Sequence, residues 1–571
     1  MRTRSRLTAT AAVLMLAVAG TATPAEAAAA ANGYRLALLA KAKPDECFNG
    51  IGQPYPAGPP CAVGQAKVNQ AYVWGLTKVG DDVWFGTGTN NQCLTSGATL
   101  DVITPVLNQD YVCEYGESQI VKADPTIPAA IGDMRPPQVW LYDAHQHRSY
   151  DESGQIRAKS ADDAERLRTT IGLRAAGSFG DVVLLSGPTV DERLNMFAFD
   201  ARSKQYLGSI TFDDYGNVRT FLQTKQALYV GVGTGRNGST GGAVLRWTGS
   251  ASSPFTFDTV ATLPVQAADL SVLGDQIAAT SWPAEGSGTS PDKLAAVWVS
   301  PVAGADGLTT ADATGWKQVW NATQYEPDKL MAATYGLGGV ASYGGYLYWG
   351  TMHVPMKATK VFQKRYPQTD KDAAQAQVKN TQRAIAIFRG KDLGTPNQKI
   401  ELLYGATQLP VYTASTNSWA MGSTGSTPLY GKSGFGQPYN NYTWRMAVSG
   451  GKLFVGTMDW SYLVHDIVAQ APSPDTTLAQ QQATVNPADT PTPDPTQFGG
   501  DLWMFTSTSA PAVAVNTTGL GNFLNYGIRN MIVNGSGLYL GMANPMNLRT
   551  NPTDAVPQGG WELIGMTKAR R

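Results

Sequence analysis

Charged residues are scarce in this chain: only 15% of its 571 residues are Asp, Glu, Lys or Arg, and the 44 acidic side chains balance the 44 basic ones. Nucleic-acid binding depends on a basic electrostatic field, so a net charge of zero argues against that class of function. The hydrophobic share of 43% is too large for a disordered chain and can support a sizeable core. We therefore expect a globular chain with no nucleic-acid partner.

Well-known catalytic and metal-binding motifs are also missing. The sequence has no GxSxG, HExxH or P-loop pattern, no Ser-x-Asp-x-Gly-x-Thr-Trp box of the sialidase type, and no CxxC pair. It has no DxDxDG-type calcium loop either. The paired carboxylates of a glycoside hydrolase cannot be identified by spacing, because they would come from different repeats. No cofactor or metal is indicated.

Long apolar runs are absent except for one at the start of the chain. Arg2, Arg4 and Arg6 precede the run AAVLMLAVAG (11–20), and AEA follows at 25–27. A basic start, a short apolar run and small residues for cleavage predict a signal peptide over residues 1–27. The run is too short to span a bilayer. We expect a secreted, extracellular chain without a membrane span.

Cysteine is rare, and all four residues lie in the first fifth of the chain: Cys47, Cys61, Cys93 and Cys113. Export exposes them to oxidising conditions, and an even count predicts two disulfides, for which three connectivities exist. We favour Cys47–Cys61 and Cys93–Cys113, because these sequence neighbours close short loops. A zinc site is the alternative, and the lack of a CxxC pair weighs against it.

Glycine, in contrast, is abundant, with 61 residues, and it recurs within one phrase. A short run of strand-forming residues, usually ending in glycine, occurs at DVWFGTGTN (82–90), VVLLSGPTV (182–190), ALYVGVGTG (227–235), the degenerate QIAATSWPA (276–284), YLYWGTMHV (346–354), KLFVGTMDW (452–460) and GLYLGMANP (537–545). Each phrase is followed by a further strand pattern, often with an aromatic residue, and is preceded by another extended segment. We expect the glycine phrase to be the second strand of its repeat, with the glycine serving a tight turn.

Seven repeats of four short antiparallel strands predict an all-β fold, a seven-bladed β-propeller over residues 65–571. Two unrelated β-sandwiches are the alternative. Within the N-terminal segment 28–64, residues 33–42 look like a strand without a local partner, and the last repeat lacks an outer strand. The hypothesis is that this segment completes the last blade and closes the ring. Insertions at 356–383, rich in helix-forming residues, and at 471–496, rich in Pro, Thr and Gln, interrupt the repeats.

The recurring pattern G-x-L-Y-x-G-T followed by L-W-x-Y/F resembles kelch-like and related propeller repeats of exported bacterial proteins. The resemblance covers residues 65–566. It implies a propeller architecture, and it carries no catalytic residues over to this chain, because propellers host many unrelated activities.

The residues that follow the glycine phrases differ from repeat to repeat. In a propeller, the loop after the second strand lies on the same face as the start of the innermost strand, so these residues are candidates for ligand contact. They include His353, Asp459, Trp460 and Asn544. His353 and Asp459 are also candidate acids or bases. The exchange of His, Asp and Asn at this position equally suits a non-catalytic polar role.

Arginines recur eight or nine residues before the leading apolar residue of four glycine phrases, where an innermost strand is expected to begin. They are Arg174, Arg219, Arg445 and Arg529. A ring of guanidinium groups suits a carboxylate, phosphate or sulfate. A structural role, in which each arginine pairs with backbone carbonyls or nearby carboxylates, is the alternative.

Three functions follow from these patterns. The first is a monomeric extracellular propeller that binds a polar or anionic ligand, such as a glycan, at the face with the four arginines, His353, Asp459, Asn544 and Trp460. The second is a secreted polysaccharide hydrolase or lyase that uses His353 or Asp459 on that face. The third is a protein-interaction scaffold that uses the insertion 356–383. The sequence does not decide whether the chain is an enzyme.

Overall fold

The protein is described by a computed structural model over residues 31–101, 103–283, 288–464, 493–550 and 559–569. The predicted signal peptide and residues 471–492 of the second insertion lie outside these ranges. The described chain is mostly β, and its strands form small antiparallel sheets, which confirms the predicted class at that level. Within the same ranges, no helix is long and apolar enough to cross a membrane.

Four of the first nine strands form one antiparallel sheet unit. The strands are β1 (Tyr34–Lys41), β2 (Glu46–Phe48), β3 (Gln65–Lys67), β4 (Gln70–Val79), β5 (Asp82–Thr89), β6 (Val106–Leu107), β7 (Val112–Cys113), β8 (Val139–Asp143) and β9 (Arg148–Asp151). Strands β4, β5, β8 and β9 pair antiparallel in that order and are called unit 1. Strands β2 and β3, and β6 and β7, form separate two-stranded sheets.

Units 2, 3 and 4 are separate four-stranded sheets whose strands pair in chain order. Unit 2 consists of β10 (Ala175–Phe179), β11 (Val182–Pro188), β12 (Leu194–Asp200) and β13 (Gln205–Phe212). Unit 3 consists of β14 (Tyr215–Gln223), β15 (Leu228–Thr234), β16 (Gly241–Trp247) and β17 (Phe257–Leu263). Unit 4 consists of β18 (Gln266–Leu273), β19 (Gln276–Trp282), β20 (Ala296–Val299) and β21 (Lys317–Asn321).

The second half of the chain continues the same pairing. Unit 5 consists of β22 (Gly336–Tyr343), β23 (Tyr346–Met352), β24 (Ile387–Lys391) and β25 (Lys399–Gly405), and is followed by a hairpin of β26 (Gln408–Thr413) and β27 (Ser418–Ser423) and by the short β28 (Gly431–Lys432). Unit 6 consists of β29 (Asn440–Ser449), β30 (Lys452–Asp459), β31 (Leu502–Phe505) and β32 (Val513–Asn516). The seven glycine phrases fall on second strands of these runs and on β34 below.

Unit 7 combines strands from both ends of the described chain. It contains β33 (Gly527–Asn534), β34 (Gly537–Ala543) and β35 (Glu562–Lys568). Strand β1 pairs antiparallel with β35, from Tyr34 opposite Lys568 to Lys41 opposite Glu562. This is the pairing that the ring-closure hypothesis requires.

Within the described ranges, α-helices lie in connections between strands. They include α1 (Asn91–Leu100), α2 (Gln119–Ala123), α3 (Ser153–Lys159), α4 (Ala161–Thr169), α5 (Lys329–Ala332), α6 (Lys357–Arg365) and α7 (Lys371–Asn380). Helices α6 and α7 lie in the insertion 356–383. Helix α1 directly follows β5 and contains Cys93, which is bonded to Cys113, while Cys47 is bonded to Cys61. Both pairs are those favoured from loop length.

The first strands of the units contact one another in succession. Strand β4 contacts β10, β10 contacts β14, and the series continues through β18, β22, β29 and β33 back to β4. Single residue pairs also link some units, such as Met352 opposite Tyr442 and Ala543 opposite Tyr72. The spaces between units are filled by buried apolar side chains; Trp349 of β23, for example, belongs to the same cluster as Val297 of β20.

The phrase glycines lie inside the second strands, where a neighbouring unit approaches closely. A Cβ atom on Gly350 would lie 2.1 Å from Oγ1 of Thr443 in β29, and one on Gly541 would lie 2.6 Å from Cγ1 of Val73 in β4. Neither glycine has a positive φ. The expected role in a tight turn is therefore wrong: glycine is required here because the first strand of the next unit packs against it.

Candidate ligand-binding cavity

The recurring arginines lie on first strands or directly before one. Arg219 is in β14, Arg445 in β29 and Arg529 in β33, and Arg174 directly precedes β10. Because the first strands contact one another in succession, their ends are brought together at one end of the sheets. The segments that follow second strands, including α1, Trp460 and residues 354–356, return to the same place.

A cavity of about 290 Å³ lies between these segments. Three of the four arginines line it: Arg174, Arg219 and Arg529. Aromatic side chains make up much of the remaining wall, namely Trp74, Trp282, Trp444, Trp460, Tyr72, Tyr442 and Tyr526. No aspartate or glutamate is among the described residues that line it. The cavity is thus both apolar and cationic.

Each of the three lining arginines lies over an indole ring. The distances from the guanidinium carbon to the ring centroid are 3.8 Å for Arg219 over Trp282, 5.4 Å for Arg174 over Trp74 and 5.9 Å for Arg529 over Trp444. A guanidinium on an aromatic face keeps its edge N–H groups free to bind an acceptor, since stacking uses only the plane of the group. The indoles therefore hold the arginines without satisfying their hydrogen-bond donors.

The arginines differ in how their charge is compensated. Arg445 forms an ion pair with Asp269 of β18 and donates to Oγ1 of Thr220 at 2.9 Å. Arg174 donates from Nη1 to Oδ1 of Asn217 at 2.7 Å. Arg219 and Arg529 make no hydrogen bond to other described residues, and Nε of Arg219 is buried without a partner. The alternative role, in which an arginine pairs with a nearby carboxylate of the fold, thus fits Arg445. It does not explain Arg219 and Arg529.

The pKa values of the three cavity arginines are lowered, as expected for cations that lack an ion-pair partner. Burial, and then a neighbouring arginine, lowers the pKa of Arg219 and of Arg529 to about 9. The neighbour is Arg529 for Arg219 and Arg174 for Arg529, and the charge of Asp269 offsets part of the effect in both cases. The pKa of Arg174 is lowered well below its ordinary value by burial and by Arg219. A lowered pKa means that the positive charge is unfavourable in the folded protein. A bound anion would relieve that cost.

Of the four residues after glycine phrases, only Trp460 lines the cavity. His353 is 8% exposed, its Nε2 lies 2.9 Å from Oγ1 of Thr351, and its ring packs edge-on against Tyr335 with centroids 4.4 Å apart. Burial, and then the charge of Arg383, lowers the pKa of His353 to about 3. His353 is a neutral packed side chain at ordinary pH, which does not suit a general acid or base working in the cavity.

Asp459 and Asn544 are buried as well. Asn544 is fully buried, and its Nδ2 lies 3.4 Å from Oδ1 of Asn525. Asp459 is 1% exposed; its Oδ1 accepts hydrogen bonds from the backbone N–H of Ser461, at 2.8 Å, and from the Ser461 hydroxyl. Both side chains stabilise the turns in which they lie. The structure does not bring His353, Asp459 and Asn544 together with the arginines.

The stability of the protein is expected to depend on the ionisation of Asp459. Burial, with a further contribution from Asp501, raises the pKa of Asp459 to about 8. An acid whose pKa is raised on folding stabilises the protein while protonated, and this contribution is lost as the pH rises from its unfolded value toward about 8, at roughly 1.4 kcal/mol per pH unit. Urea denaturation of wild type and Asp459→Asn across this range should show the wild type losing stability faster. Parallel pH curves would contradict the assignment.

Helix α1 forms part of the cavity wall, although none of its residues was among the ligand-binding residues predicted from the sequence. Asn91, Gln92, Thr95 and Ser96 line the cavity. Asn91 belongs to the variable segment directly after a glycine phrase, so its position signalled the correct face. Trp74 and Trp444 were not singled out, because they lie inside first strands, where an aromatic residue is typical of the core.

The disulfide Cys93–Cys113 joins α1, which forms part of the cavity wall, to β7. Its removal is therefore expected to reduce both stability and ligand binding. The pair closes a separation of 20 residues, and such a disulfide contributes about 3 kcal/mol in the chain-entropy account. The double variant Cys93→Ser/Cys113→Ser should show a lower denaturation midpoint and weaker binding. The control is Cys47→Ser/Cys61→Ser, a disulfide that does not involve α1; it should lose stability and keep its affinity. Equal affinity losses would contradict a specific role for α1.

Comparisons with known proteins leave the family open. No protein-family model matches the sequence, and no curated protein matches it. Similar solved structures include a prolyl endopeptidase (8% identity, TM-score 0.35, covering 88% of this chain and 51% of that one). They also include the β-propeller domain of the trilobed protease from Pyrococcus furiosus (8% identity, TM-score 0.23, 60% and 89% covered) and a chain of the mitotic checkpoint complex (10% identity, TM-score 0.31, 75% and 83% covered). This chain spans about half the length of the prolyl endopeptidase. Similarity at this level assigns no activity.

Proposed function

We propose that this chain is a secreted, monomeric β-propeller of seven four-stranded blades, with kelch-like repeats, that binds an anionic ligand in the arginine-lined cavity. The succession of contacts from β4 through β33 and back to β4 supports a ring. The pairing of β1 with β35 supports closure by the N-terminal strand. Two disulfides support an oxidising, extracellular location.

The observation that carries the ligand proposal is a set of three arginines in one cavity, none of which forms an ion pair with another described residue. Arg174, Arg219 and Arg529 share a cavity whose described lining contains no carboxylate. Burying like charges together destabilises a fold, so their proximity needs a compensating partner. An anion with an apolar body satisfies both the free guanidinium donors and the indole walls.

The hydrolase or lyase alternative has less support. Its candidate acids and bases, His353 and Asp459, are buried away from the cavity lining and have ionisation states fixed by burial. The scaffold alternative rests on the insertion that carries α6 and α7. Residues 354–356, directly before α6, line the cavity, so this region also fits a role in ligand binding.

Retention on immobilised glycans tests the proposed function. The full chain should be retained on a polygalacturonate matrix and pass through a matched neutral dextran matrix. Retention should weaken as salt is added, because screening reduces attraction between the arginines and the carboxylates. Equal behaviour on both matrices, or retention that salt does not affect, would contradict anion binding.

A further inference from the structure

The amide of Asn91, at the start of α1, is buried in the cavity wall and has no hydrogen-bond partner among the described residues. Its residue is 3% exposed, and neither Oδ1 nor Nδ2 forms a hydrogen bond with any described residue. Oε1 of the adjacent Gln92, which also lines the cavity, is buried too and has no hydrogen-bond partner in the described part of the chain. An unpaired buried amide costs roughly 1–3 kcal/mol. Such a group in a cavity wall indicates a ligand that donates and accepts hydrogen bonds.

Further neutral polar side chains of α1 line the cavity beside Asn91. Thr95 lies four residues after Asn91, which places both side chains on the same side of the helix. Both residues and Ser96 line the cavity. The wall therefore offers an amide and two hydroxyl groups, all neutral. Neutral groups of this kind pair with hydroxyls rather than with a carboxylate, which the arginines bind more strongly.

The cavity thus combines groups that suit different parts of one ligand. Arg219 and Arg529 suit an anion, the indoles of Trp282 and Trp444 suit a flat apolar face, and Asn91 suits hydroxyls. We propose that the ligand is an acidic sugar, a pyranose ring carrying a carboxylate and free hydroxyls, and that Asn91 binds its hydroxyls. This inference rests on the proposed anion binding. The cavity of about 290 Å³ is at the lower end of small-molecule sites, a size suited to one or two sugar rings.

Other ligand classes leave part of the cavity unsatisfied. An aromatic carboxylate pairs with the arginines and indoles and leaves the Asn91 amide buried and unpaired. A neutral sugar pairs with Asn91 and leaves the arginines without a counter-ion. An inorganic anion covers neither the indoles nor the amide. Sites with buried polar groups reject analogues that lack the matching group, because those groups then remain unpaired.

Isothermal titration of the full chain with matched probes tests the ligand class. The probes are a digalacturonate disaccharide, a neutral galactose disaccharide, benzoate and sulfate. We expect digalacturonate to bind at least about tenfold more tightly than each of the others, a difference of about 1.4 kcal/mol. This comparison uses the wild-type chain, so it does not depend on any variant folding. Equal affinities for digalacturonate and benzoate would overturn the acidic-sugar assignment.

The variant Asn91→Ala tests the assigned contact. It should lower digalacturonate affinity about tenfold and leave benzoate affinity unchanged, because only the sugar has hydroxyls for the amide. The control is Asn397→Ala, at an exposed asparagine that does not line the cavity; it should change neither affinity. Similar losses for both probes, or no loss for either, would overturn the role of Asn91.

A further variant separates this inference from the proposed function. Asn91→Asp places a carboxylate in the wall of the arginine-lined cavity and should weaken binding of both digalacturonate and benzoate, while raising the denaturation midpoint. Benzoate and digalacturonate could bind with equal affinity, with Arg219→Gln abolishing the binding of both. That result would support the proposed anion binding and contradict the acidic-sugar assignment. If no probe binds in a manner that depends on Arg219, both proposals fail.

Discussion

Removal of residues 33–42 is expected to unfold the protein under conditions in which the full chain is stable. This segment carries β1, which pairs with β35 over the whole strand. Tyr34 and Leu36 are buried in one cluster with Phe454 of unit 6 and Leu538 of unit 7. Loss of these side chains alone removes about 3–6 kcal/mol of burial, a large part of the stability of an ordinary domain. Urea denaturation followed by circular dichroism measures the effect.

Matched point variants show whether the effect comes from burial in unit 7. Leu36 is 4% exposed and Arg35, its neighbour in β1, is exposed. Leu36→Ala should cost about 2–5 kcal/mol, whereas Arg35→Ala should change stability by less than about 0.5 kcal/mol. An unchanged denaturation midpoint after deletion of 33–42 would mean that β1 does not close the ring.

A rearranged chain provides the complementary test. Tyr34 lies opposite Lys568, and the N–H of Ala569 donates to the carbonyl of Gly33 at 2.8 Å. The C-terminal end of β35 therefore adjoins the start of β1, and a short turn can join them as a hairpin. Moving residues 33–42 from the N-terminus to follow residue 569 should restore the stability that deletion removes. Failure to restore it would point to a role of the segment other than strand pairing.

The second large effect is expected at Arg219. Arg219→Gln removes a half-buried guanidinium that forms no hydrogen bond with any described residue and lies over the Trp282 ring at 3.8 Å. Anion affinity should fall by at least about tenfold, since hydrogen bonds to charged groups contribute about 1.5–3 kcal/mol. Stability should rise slightly, because like-charge repulsion with Arg529 is relieved. Titration with digalacturonate and urea denaturation measure the two effects.

Arg445→Gln is the matched control and should change stability in the opposite direction. Arg445 is paired with Asp269, and side-chain exposures of 19% and 10% show that the pair is mostly buried. Removing one partner leaves a buried charge unpaired, which costs about 3–5 kcal/mol in comparable pairs. A stability loss at Arg219 as large as that at Arg445 would show that Arg219 is structural, and an unchanged affinity in Arg219→Gln would exclude it from the site.

Local sequence patterns were sufficient to place the strands and the arginines. The glycine phrases at Gly350 and Gly541 lie on second strands, as predicted, since repetition reports the strand pattern of each unit. The reason for the glycine was missed, because it depends on a side chain from the next unit, Thr443 or Val73. Contacts between units are not visible in the sequence of one repeat.

The composition of the cavity was less predictable, because equivalent positions in different repeats have different surroundings. His353, Asp459 and Trp460 all follow glycine phrases, yet only Trp460 lines the cavity. The arginine repeat likewise conceals a difference: Asp269 forms an ion pair with Arg445, whereas Arg219, which also experiences the charge of Asp269, forms no ion pair with any described residue. Distinguishing these cases requires the side chains of β18 and α1, which are distant in sequence.

A crystal structure of the full chain with bound digalacturonate tests the central claim most directly. We expect a carboxylate within hydrogen-bond distance of the guanidinium groups of Arg219 and Arg529, with the sugar ring against Trp282 or Trp444. Density for the sugar elsewhere on the molecule, or Arg174, Arg219 and Arg529 directed away from one another and paired with separate acidic side chains, would contradict it.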